Sequence, residues 1–184
     1  MFKIIFTGPE SSGKTTVSNA VAKHFDAPLV EEYVREYFEK KQTPQYFQTD
    51  LTEIAKGQIE SEKKHIKPQT RLIVCDTDIL TIKIWSEVVY GNCLPELAQL
   101  INTRYPPPTT HHLSIYFLCS PEGIEWEYDP LRENPNDRDF LFKMYEKELI
   151  MHKKNYHILR GSIEERLGKC IEIIYQFLHL KKEP

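Results

Sequence analysis

Long apolar segments and paired cysteines are the features most plainly missing from this sequence. No apolar run approaches the roughly 20 residues that a transmembrane helix needs, and the first residues form a β-rich run rather than a cleavable signal. The cysteines are far apart, without a Cys-x-x-Cys pair: Cys75, Cys93, Cys119 and Cys170. This spacing argues against a disulfide framework and favours free thiols in a reducing compartment. We therefore expect a cytoplasmic protein with no membrane partner.

A surplus of positive charge is also missing. The 24 Lys and Arg residues are outnumbered by 27 Asp and Glu residues, which gives a net charge of −3. Without a basic field the chain has no general attraction for nucleic acid, so we expect small-molecule partners instead. The 184 residues, 40% of them hydrophobic, suffice for one well-packed domain and not for two large ones. We predict a single domain over residues 1–184, and the sequence carries no signal of oligomeric state.

The most specific motif is Gly-Pro-Glu-Ser-Ser-Gly-Lys-Thr at residues 8–15, which fits the pattern G-x-x-x-x-G-K-[ST]. A β-rich run precedes it and helical spacing follows it, as this phosphate-binding loop requires. Its backbone N–H groups surround phosphate oxygens, Lys14 adds a charge and Thr15 offers a hydroxyl to Mg²⁺. We predict ATP and Mg²⁺ as ligands. The residues expected to hold them are Gly8, Glu10, Ser11, Ser12, Gly13, Lys14, Thr15 and Thr16.

Strand-like runs alternate with helical spacing along the rest of the chain. The predicted strands end at Thr7, Val30, Cys75, Cys119 and Leu159. This alternation is typical of an α/β fold with helices on both faces of a parallel sheet. We predict a three-layer P-loop NTPase fold with a parallel five-stranded sheet.

Polar residues follow the predicted strands, where ligands bind in such sheets. Asp76 and Asp78 follow the third strand, and either could hold Mg²⁺ while the other faces an acceptor hydroxyl. Capping of the next helix is the alternative for Asp78. Glu32, after the second strand, is a further candidate for contact with the acceptor. Arg35 binds phosphate or pairs with a neighbouring glutamate.

A polar, aromatic segment at about residues 122–138 follows the fourth strand, and we predict that it forms a lid. Arg132 is expected to neutralise charge on a transferring phosphoryl group, and Arg138 is divided between that role and a structural one. Trp126 and Tyr128 have little reason to lie on a purely solvated loop. Trp126 therefore contacts a ligand or anchors the lid, whereas the helical spacing around Trp85 predicts core or pocket wall.

Together these motifs resemble the ribosylnicotinamide kinase domain of bacterial NadR-type proteins of NAD biosynthesis. Four segments carry the resemblance, which covers essentially the whole chain: Gly8 to Thr16, Glu32-Tyr33-Val34-Arg35-Glu36, Asp76-Thr77-Asp78 and Trp126-Glu127-Tyr128-Asp129-Pro130-Leu131-Arg132. The second and the fourth of these segments are the more discriminating ones. The resemblance implies a nucleoside kinase-like fold with a lid. Since the phosphate loop begins at residue 8, we expect no nucleotidyltransferase domain before it.

The resemblance also implies a reaction, in which ATP phosphorylates the ribose 5′-hydroxyl of nicotinamide riboside to give nicotinamide mononucleotide. It implies catalytic roles for Lys14, Asp76, Asp78 and Arg132, with Thr15 and Asp76 at the metal. The implied substrate contacts are Glu32, Arg35, Asp78, Trp126, Tyr128 and Tyr156, with Trp126 stacked on the nicotinamide ring and Tyr156 on its other face. An aromatic face beside acidic groups also suits a cationic pyridinium.

Two other functions remain open at this point. One is a kinase of the same architecture that acts on another nucleoside or on a nucleoside monophosphate. The other is a regulatory switch that binds ATP and signals to a partner. The chain has neither Asp-x-x-Gly after the third strand nor the Asn-Lys-x-Asp guanine motif, which argues against a switch.

Overall fold

The structure is a computed structural model that describes residues 1–104 and 113–179. These residues contain five strands and seven helices. In chain order they are β1 (Phe2–Thr7), α1 (Lys14–His24), β2 (Leu29–Val30), α2 (Tyr33–Lys41), α3 (Gln48–His65), β3 (Leu72–Asp76), α4 (Ile79–Tyr90), α5 (Pro95–Arg104), β4 (Leu113–Cys119), α6 (Arg138–Met151), β5 (Tyr156–Leu159) and α7 (Ile163–His179). The alternation of strands and helices predicted from the sequence is confirmed.

All five strands pair in parallel, in the order β2-β3-β1-β4-β5. In this register Phe6 of β1 lies opposite Asp76 of β3, and Thr7 lies opposite Leu118 of β4. Because the strands are parallel, their carboxyl ends meet at one edge of the sheet. The phosphate loop after β1 therefore lies beside the residues that follow β2, β3 and β4.

Both faces of the sheet are covered by helices. Successive side chains of β1 point to opposite faces, so that Ile5 packs under α3, α4 and α6 while Ile4 and Phe6 pack under α1 and α7. Each face has its own apolar core, which explains why the central strands are apolar throughout. The predicted three-layer fold is thereby confirmed. The four cysteines are free thiols, and none of the described helices is long and apolar enough to cross a membrane.

Helix α3 fixes the start of α2, and so positions the residue after β2. A β-carbon built on Gly57 would lie 1.9 Å from the ring of Tyr33, so only glycine lets the ring pack against α3. The buried side chain of Gln58 accepts a hydrogen bond from the backbone N–H of Tyr33 at 2.8 Å. These two contacts from α3 hold Tyr33 and so position the neighbouring Glu32 in the chain.

We predict opposite effects of alanine at two helical glycines. Gly57→Ala overpacks the contact with Tyr33 and should lower the free energy of unfolding by about 1–3 kcal/mol. Gly168→Ala in α7 meets nothing within 4 Å, so it should raise that free energy by about 0.5–1 kcal/mol. Urea unfolding of both variants measures the difference. Equal effects at the two sites would contradict the packing described for Tyr33.

Candidate functional site

The phosphate loop is built against the end of β4. Gly8 has φ +136°, and a β-carbon there would lie 2.6 Å from the carbonyl oxygen of Cys119. Gly13, at φ +77°, directly precedes α1 and leaves the helix amino terminus facing the loop. The Lys14 Nζ donates to the carbonyl oxygen of Pro9 at 2.7 Å. The loop is therefore preformed, and the Lys14 ammonium contacts the backbone of the loop itself.

A buried arginine ties the loop to the ends of two strands. Arg166 of α7 is fully buried and donates to the carbonyl oxygens of Ser12 at 2.8 Å, Ser120 at 2.9 Å and Gly161 at 2.8 Å. Burial lowers the pKa of its guanidinium. Because these carbonyls come from three different loops, one side chain sets the distance between the phosphate loop and the ends of β4 and β5.

Sequence reasoning missed Arg166, although a signal was present. It shares one stripe of α7 with Cys170 and Ile174, which are spaced four residues apart and are also fully buried. A charged residue on a buried stripe must find hydrogen-bond partners, and the pattern does not say where those partners are.

Asp76 lies beside Thr15 in a position that suits a metal ion. Its carboxylate is only 5% exposed, and burial raises its pKa, while a hydrogen bond from the Thr15 side chain and the charge of Lys14 oppose the rise. A hydroxyl and a carboxylate oxygen are ligands that Mg²⁺ accepts, together with phosphate and water oxygens. Thr15 and Asp76 are therefore the residues that would hold the ion.

Asp78 has a different role from the one predicted. It caps α4 by accepting from the N–H of Leu80 at 3.1 Å, and the Tyr116 hydroxyl donates to it at 2.7 Å. The residue is fully buried, and Thr77, with φ +76°, turns the chain between the two aspartates. The prediction that Asp78 contacts metal or substrate does not fit this position. The capping alternative does.

A cavity of about 550 Å³ adjoins the phosphate loop. Loop residues form its floor, and the remaining wall comes from the start of α2, from α4, from the lid segment and from α6. Those side chains include Glu32, Val34, Arg35, Thr81, Ile84, Trp85, Val88, Glu127, Leu131, Arg132, Leu141 and Tyr145. The volume suits a nucleoside-sized molecule.

Part of the cavity wall is apolar and aromatic. Trp85 lies on the cavity side of α4, and its indole Nε1 donates to the Tyr46 hydroxyl at 3.0 Å. Leu141 and the buried Tyr145 of α6 also line the cavity, and burial raises the pKa of Tyr145. Trp85 forms a pocket wall, one of the two positions its spacing predicts. Sequence reasoning missed Tyr145, whose helical spacing equally fits a core residue.

Glu32 brings a carboxylate to the polar end of the cavity. It follows β2, is half-buried and lines the cavity wall. Burial raises its pKa and the charge of Lys14 opposes the rise, while Asp76 adds to it. Arg35, on the next turn, pairs with Asp129 at 2.8 Å. The predicted pairing of Arg35 with a neighbouring glutamate is replaced by an ion pair to the lid segment.

The lid segment, residues 122–138, contacts the phosphate loop directly. Arg132 Nη1 donates to the Ser11 hydroxyl at 3.1 Å and to the carbonyl oxygen of Glu127 at 2.7 Å. Arg138 Nη1 donates to the carbonyl oxygens of Ser11 at 2.9 Å and Ile124 at 2.8 Å. Both arginines therefore contact the phosphate loop, and the role predicted for Arg132 at the phosphoryl group stays a prediction.

Glu10 of the loop holds the lid from the other side. Its carboxylate accepts from the backbone N–H groups of Glu133 at 3.1 Å and Asn134 at 2.9 Å. The place of Glu10 in the motif predicts a contact with the nucleotide. In this structure its carboxylate binds lid backbone.

The remaining predicted aromatic contacts are not among the residues that line the described cavity. Trp126 is half-buried and is not among the residues that line the described cavity, although Glu125 and Glu127 are. Tyr128 is 81% exposed. Tyr156 begins β5, at the opposite edge of the sheet from the phosphate loop, and its hydroxyl lies 3.1 Å from Glu146. The prediction that Tyr156 contacts the substrate does not fit this position.

A larger groove of about 930 Å³ lies beside the lid segment, between residues 120–125 and α6. Its polar rim is solvated: Arg160 pairs with Glu122 at 2.6 Å, and both side chains are more than half exposed. The groove lacks the phosphate-loop lining of the smaller cavity. We therefore place the candidate active site in the 550 Å³ cavity.

Several solved structures have a similar fold. NadR in complex with NAD and AMP-PNP aligns with a TM-score of 0.70 and 19% identity, over 95% of this chain and 49% of NadR. NadR in complex with NR aligns with a TM-score of 0.72 and 20% identity, over 95% of this chain and 51% of that NadR chain. Deoxyadenosine kinase from M. mycoides, with products bound, aligns with a TM-score of 0.64 and 16% identity, over 95% of this chain and 99% of the kinase. The chain spans about half the length of these NadR chains.

The phosphate loop at the carboxyl edge of a parallel sheet, with Asp76 on the adjacent strand, defines the class: a P-loop nucleotide-binding fold. The profile of a family described as an AAA domain matches residues 3–166, and the chain belongs to that family. No curated protein matches it. The kinase-like fold predicted from the NadR resemblance is confirmed, since both NadR and deoxyadenosine kinase share it.

We predict that the hydrogen bonds of Arg166 stabilise the site. Arg166→Leu leaves buried carbonyls of Ser12 and Ser120 unpaired, which should lower the free energy of unfolding by about 2–4 kcal/mol and weaken ATP binding. The matched control is Arg160→Leu, whose exposed ion pair is worth under about 1 kcal/mol. Thermal unfolding and nucleotide titration measure both variants. An Arg166→Leu protein as stable as Arg160→Leu would contradict this role.

Proposed function

We propose that the chain is an ATP-dependent small-molecule kinase that phosphorylates a hydroxyl of a nucleoside held in the 550 Å³ cavity, with nicotinamide riboside as the acceptor. The observation that carries the proposal is the continuity of one cavity from the phosphate loop past Glu32 to the aromatic wall at Trp85. The phosphate loop suits a triphosphate, and the Trp85 indole suits a flat ring. Glu32 adds a carboxylate to the same cavity.

The triphosphate side uses the loop, the metal ligands and the lid. Loop N–H groups and Lys14 hold the phosphates, in which case the Lys14 ammonium exchanges its bond to Pro9 for phosphate oxygens. Thr15 and Asp76 would hold Mg²⁺, which would supply positive charge to the phosphate oxygens when bound. Arg132, already at the loop, stabilises charge on the transferring phosphoryl group.

The acceptor side uses Glu32. The acceptor hydroxyl oxygen forms a bond to the γ-phosphorus as the bond from that phosphorus to the β–γ bridging oxygen breaks, which releases ADP. Glu32 orients the hydroxyl and accepts its proton. A carboxyl pKa raised by burial suits this task, because a base works best when its pKa approaches the working pH. With Asp78 buried as a helix cap, Glu32 takes the acceptor role.

The choice of nicotinamide riboside rests on the character of the cavity wall. Trp85 gives an aromatic face, and Glu32 and Glu127 place acidic groups along the same cavity. A cationic pyridinium is attracted by both. The complex of NadR with NR is consistent with this acceptor.

A second candidate is a kinase for a neutral nucleoside. The apolar contribution of Ile84, Val88 and Leu141 to the wall favours it, and the likeness to deoxyadenosine kinase extends over nearly all of that chain.

An acceptor panel separates the candidates. ADP release from MgATP is followed with nicotinamide riboside, nicotinic acid riboside, thymidine and deoxyadenosine, and each product is identified by mass. We expect release that depends on nicotinamide riboside and a product heavier by one phosphoryl group. Release with deoxyadenosine or thymidine alone would favour the second candidate. Tight ATP binding without acceptor-dependent ADP release would refute a kinase and favour a regulatory switch.

We predict that Glu32→Gln lowers kcat by about 10²–10⁴-fold with little change in ATP affinity. Because burial raises the Glu32 pKa from 4.5, the wild-type protein loses stability as pH rises through the folded-state pKa. Glu32→Gln should therefore unfold at a higher temperature than wild type at about pH 8, with a smaller difference near about pH 4.5. Steady-state kinetics and melting curves test both effects. Unchanged kcat would remove Glu32 from the reaction.

We predict that Trp85, not Trp126, forms the ring-binding wall. Trp85→Leu should raise the acceptor KM by about tenfold, which corresponds to about 1.4 kcal/mol of lost contact, whereas Trp126→Leu should change it by less than about threefold. Both substitutions remove one indole from the chain and differ only in place. A larger effect of Trp126→Leu than of Trp85→Leu would instead favour stacking of Trp126 on the nicotinamide ring.

A further inference from the structure

One chain of hydrogen bonds runs from the wall of the cavity to the phosphate loop through the lid. The Trp85 indole Nε1 donates to the Tyr46 hydroxyl at 3.0 Å, and that hydroxyl donates to Glu133 Oε2 at 2.9 Å. The backbone N–H of Glu133 then donates to the Glu10 carboxylate at 3.1 Å. Glu133 therefore contacts both ends of the site, one through its side chain and the other through its backbone.

Tyr46 is held firmly enough to transmit a displacement of this wall. It lies between α2 and α3, where its ring packs on Trp85 at 4.9 Å and on the rings of Phe38 at 6.0 Å and Tyr90 at 6.4 Å. Burial raises the pKa of its phenol, so the hydroxyl keeps its proton and remains a donor to Glu133. Its position within the aromatic cluster leaves the hydroxyl aimed at the lid.

We propose that Tyr46 and Glu133 are positioning residues that couple occupation of the acceptor cavity to closure of the lid over the phosphate loop. An acceptor ring on Trp85 steadies the indole, which steadies the Tyr46 hydroxyl and the lid carboxylate that it contacts. Closure of the lid then excludes water from the phosphates when an acceptor is present. The proposal rests on the kinase function and on the assignment of Trp85 to the acceptor wall.

The coupling predicts a specific pattern in kinetics. Tyr46→Phe keeps the ring and deletes the hydroxyl, and Glu133→Ala deletes the carboxylate. Each should lower kcat/KM for the acceptor by about five- to tenfold, which lies within the typical range for the net contribution of one hydrogen bond, while the KM for ATP stays the same. The double variant should be no worse than either single variant, because both remove one interaction. Glu133→Gln retains an acceptor oxygen and should recover most of the activity.

A matched control uses the same aromatic cluster. The Tyr90 hydroxyl donates to the Tyr46 carbonyl oxygen at 3.4 Å and has no part in the hydrogen-bond chain to the lid. Tyr90→Phe should therefore retain wild-type kinetics. Melting temperatures confirm that all variants are folded. Additive losses in the double variant, or an equal loss in Tyr90→Phe, would overturn the coupling in favour of a general packing effect.

A readout without an acceptor keeps this test independent of the acceptor's identity. The chain has two tryptophans, so in a Trp126→Phe background Trp85 alone reports fluorescence. AMP-PNP, which binds at the phosphate loop, should change Trp85 emission through Glu10, Glu133 and Tyr46. The same addition should change it little in Tyr46→Phe or Glu133→Ala. An unaltered response in those variants would overturn the coupling, while a failed acceptor panel with an intact response would overturn the kinase assignment alone.

Discussion

The parallel pairing of β1 with β3 is the constraint on which the site depends. It places Phe6 opposite Asp76, so the loop that follows β1 and the carboxylate that ends β3 must lie side by side. Pairing of β2 with β3 adds Glu32 on the far side of Asp76. A slip of one residue would turn Asp76 to the other face of the sheet and away from Thr15. The register of buried strands therefore sets the distance between the metal ligands and the acceptor carboxylate.

Three charged side chains of this frame bind groups of the protein itself. Arg166 holds three carbonyl oxygens, Glu10 holds two lid N–H groups, and Lys14 holds Pro9. A triphosphate displaces the Lys14 contact with Pro9, while the Arg166 contacts keep the loop in place. Such a preorganised site costs little rearrangement when the ligand binds.

The fold was predictable because its signals are local and periodic. The phosphate loop, the alternation of strands and helices and the lid all follow from short segments of sequence. The site was only partly predictable, since a residue type in a motif does not give the direction of its side chain. Asp78 has the same sequence signal as Asp76 but points into a helix cap. Trp126 follows a strand as a ligand contact would, yet Trp85 from a helix forms the wall.

The central claim is that the acceptor lies beside the metal and triphosphate. It is tested most directly by proton relaxation of nicotinamide riboside bound with AMP-PNP and Mn²⁺, whose unpaired electrons relax nearby nuclei. The account predicts that the ribose 5′ protons relax faster than the ring protons, because the ribose faces Asp76 and the ring faces Trp85. Relaxation that is no faster than in a sample without protein, or that is fastest for the ring protons, would contradict it.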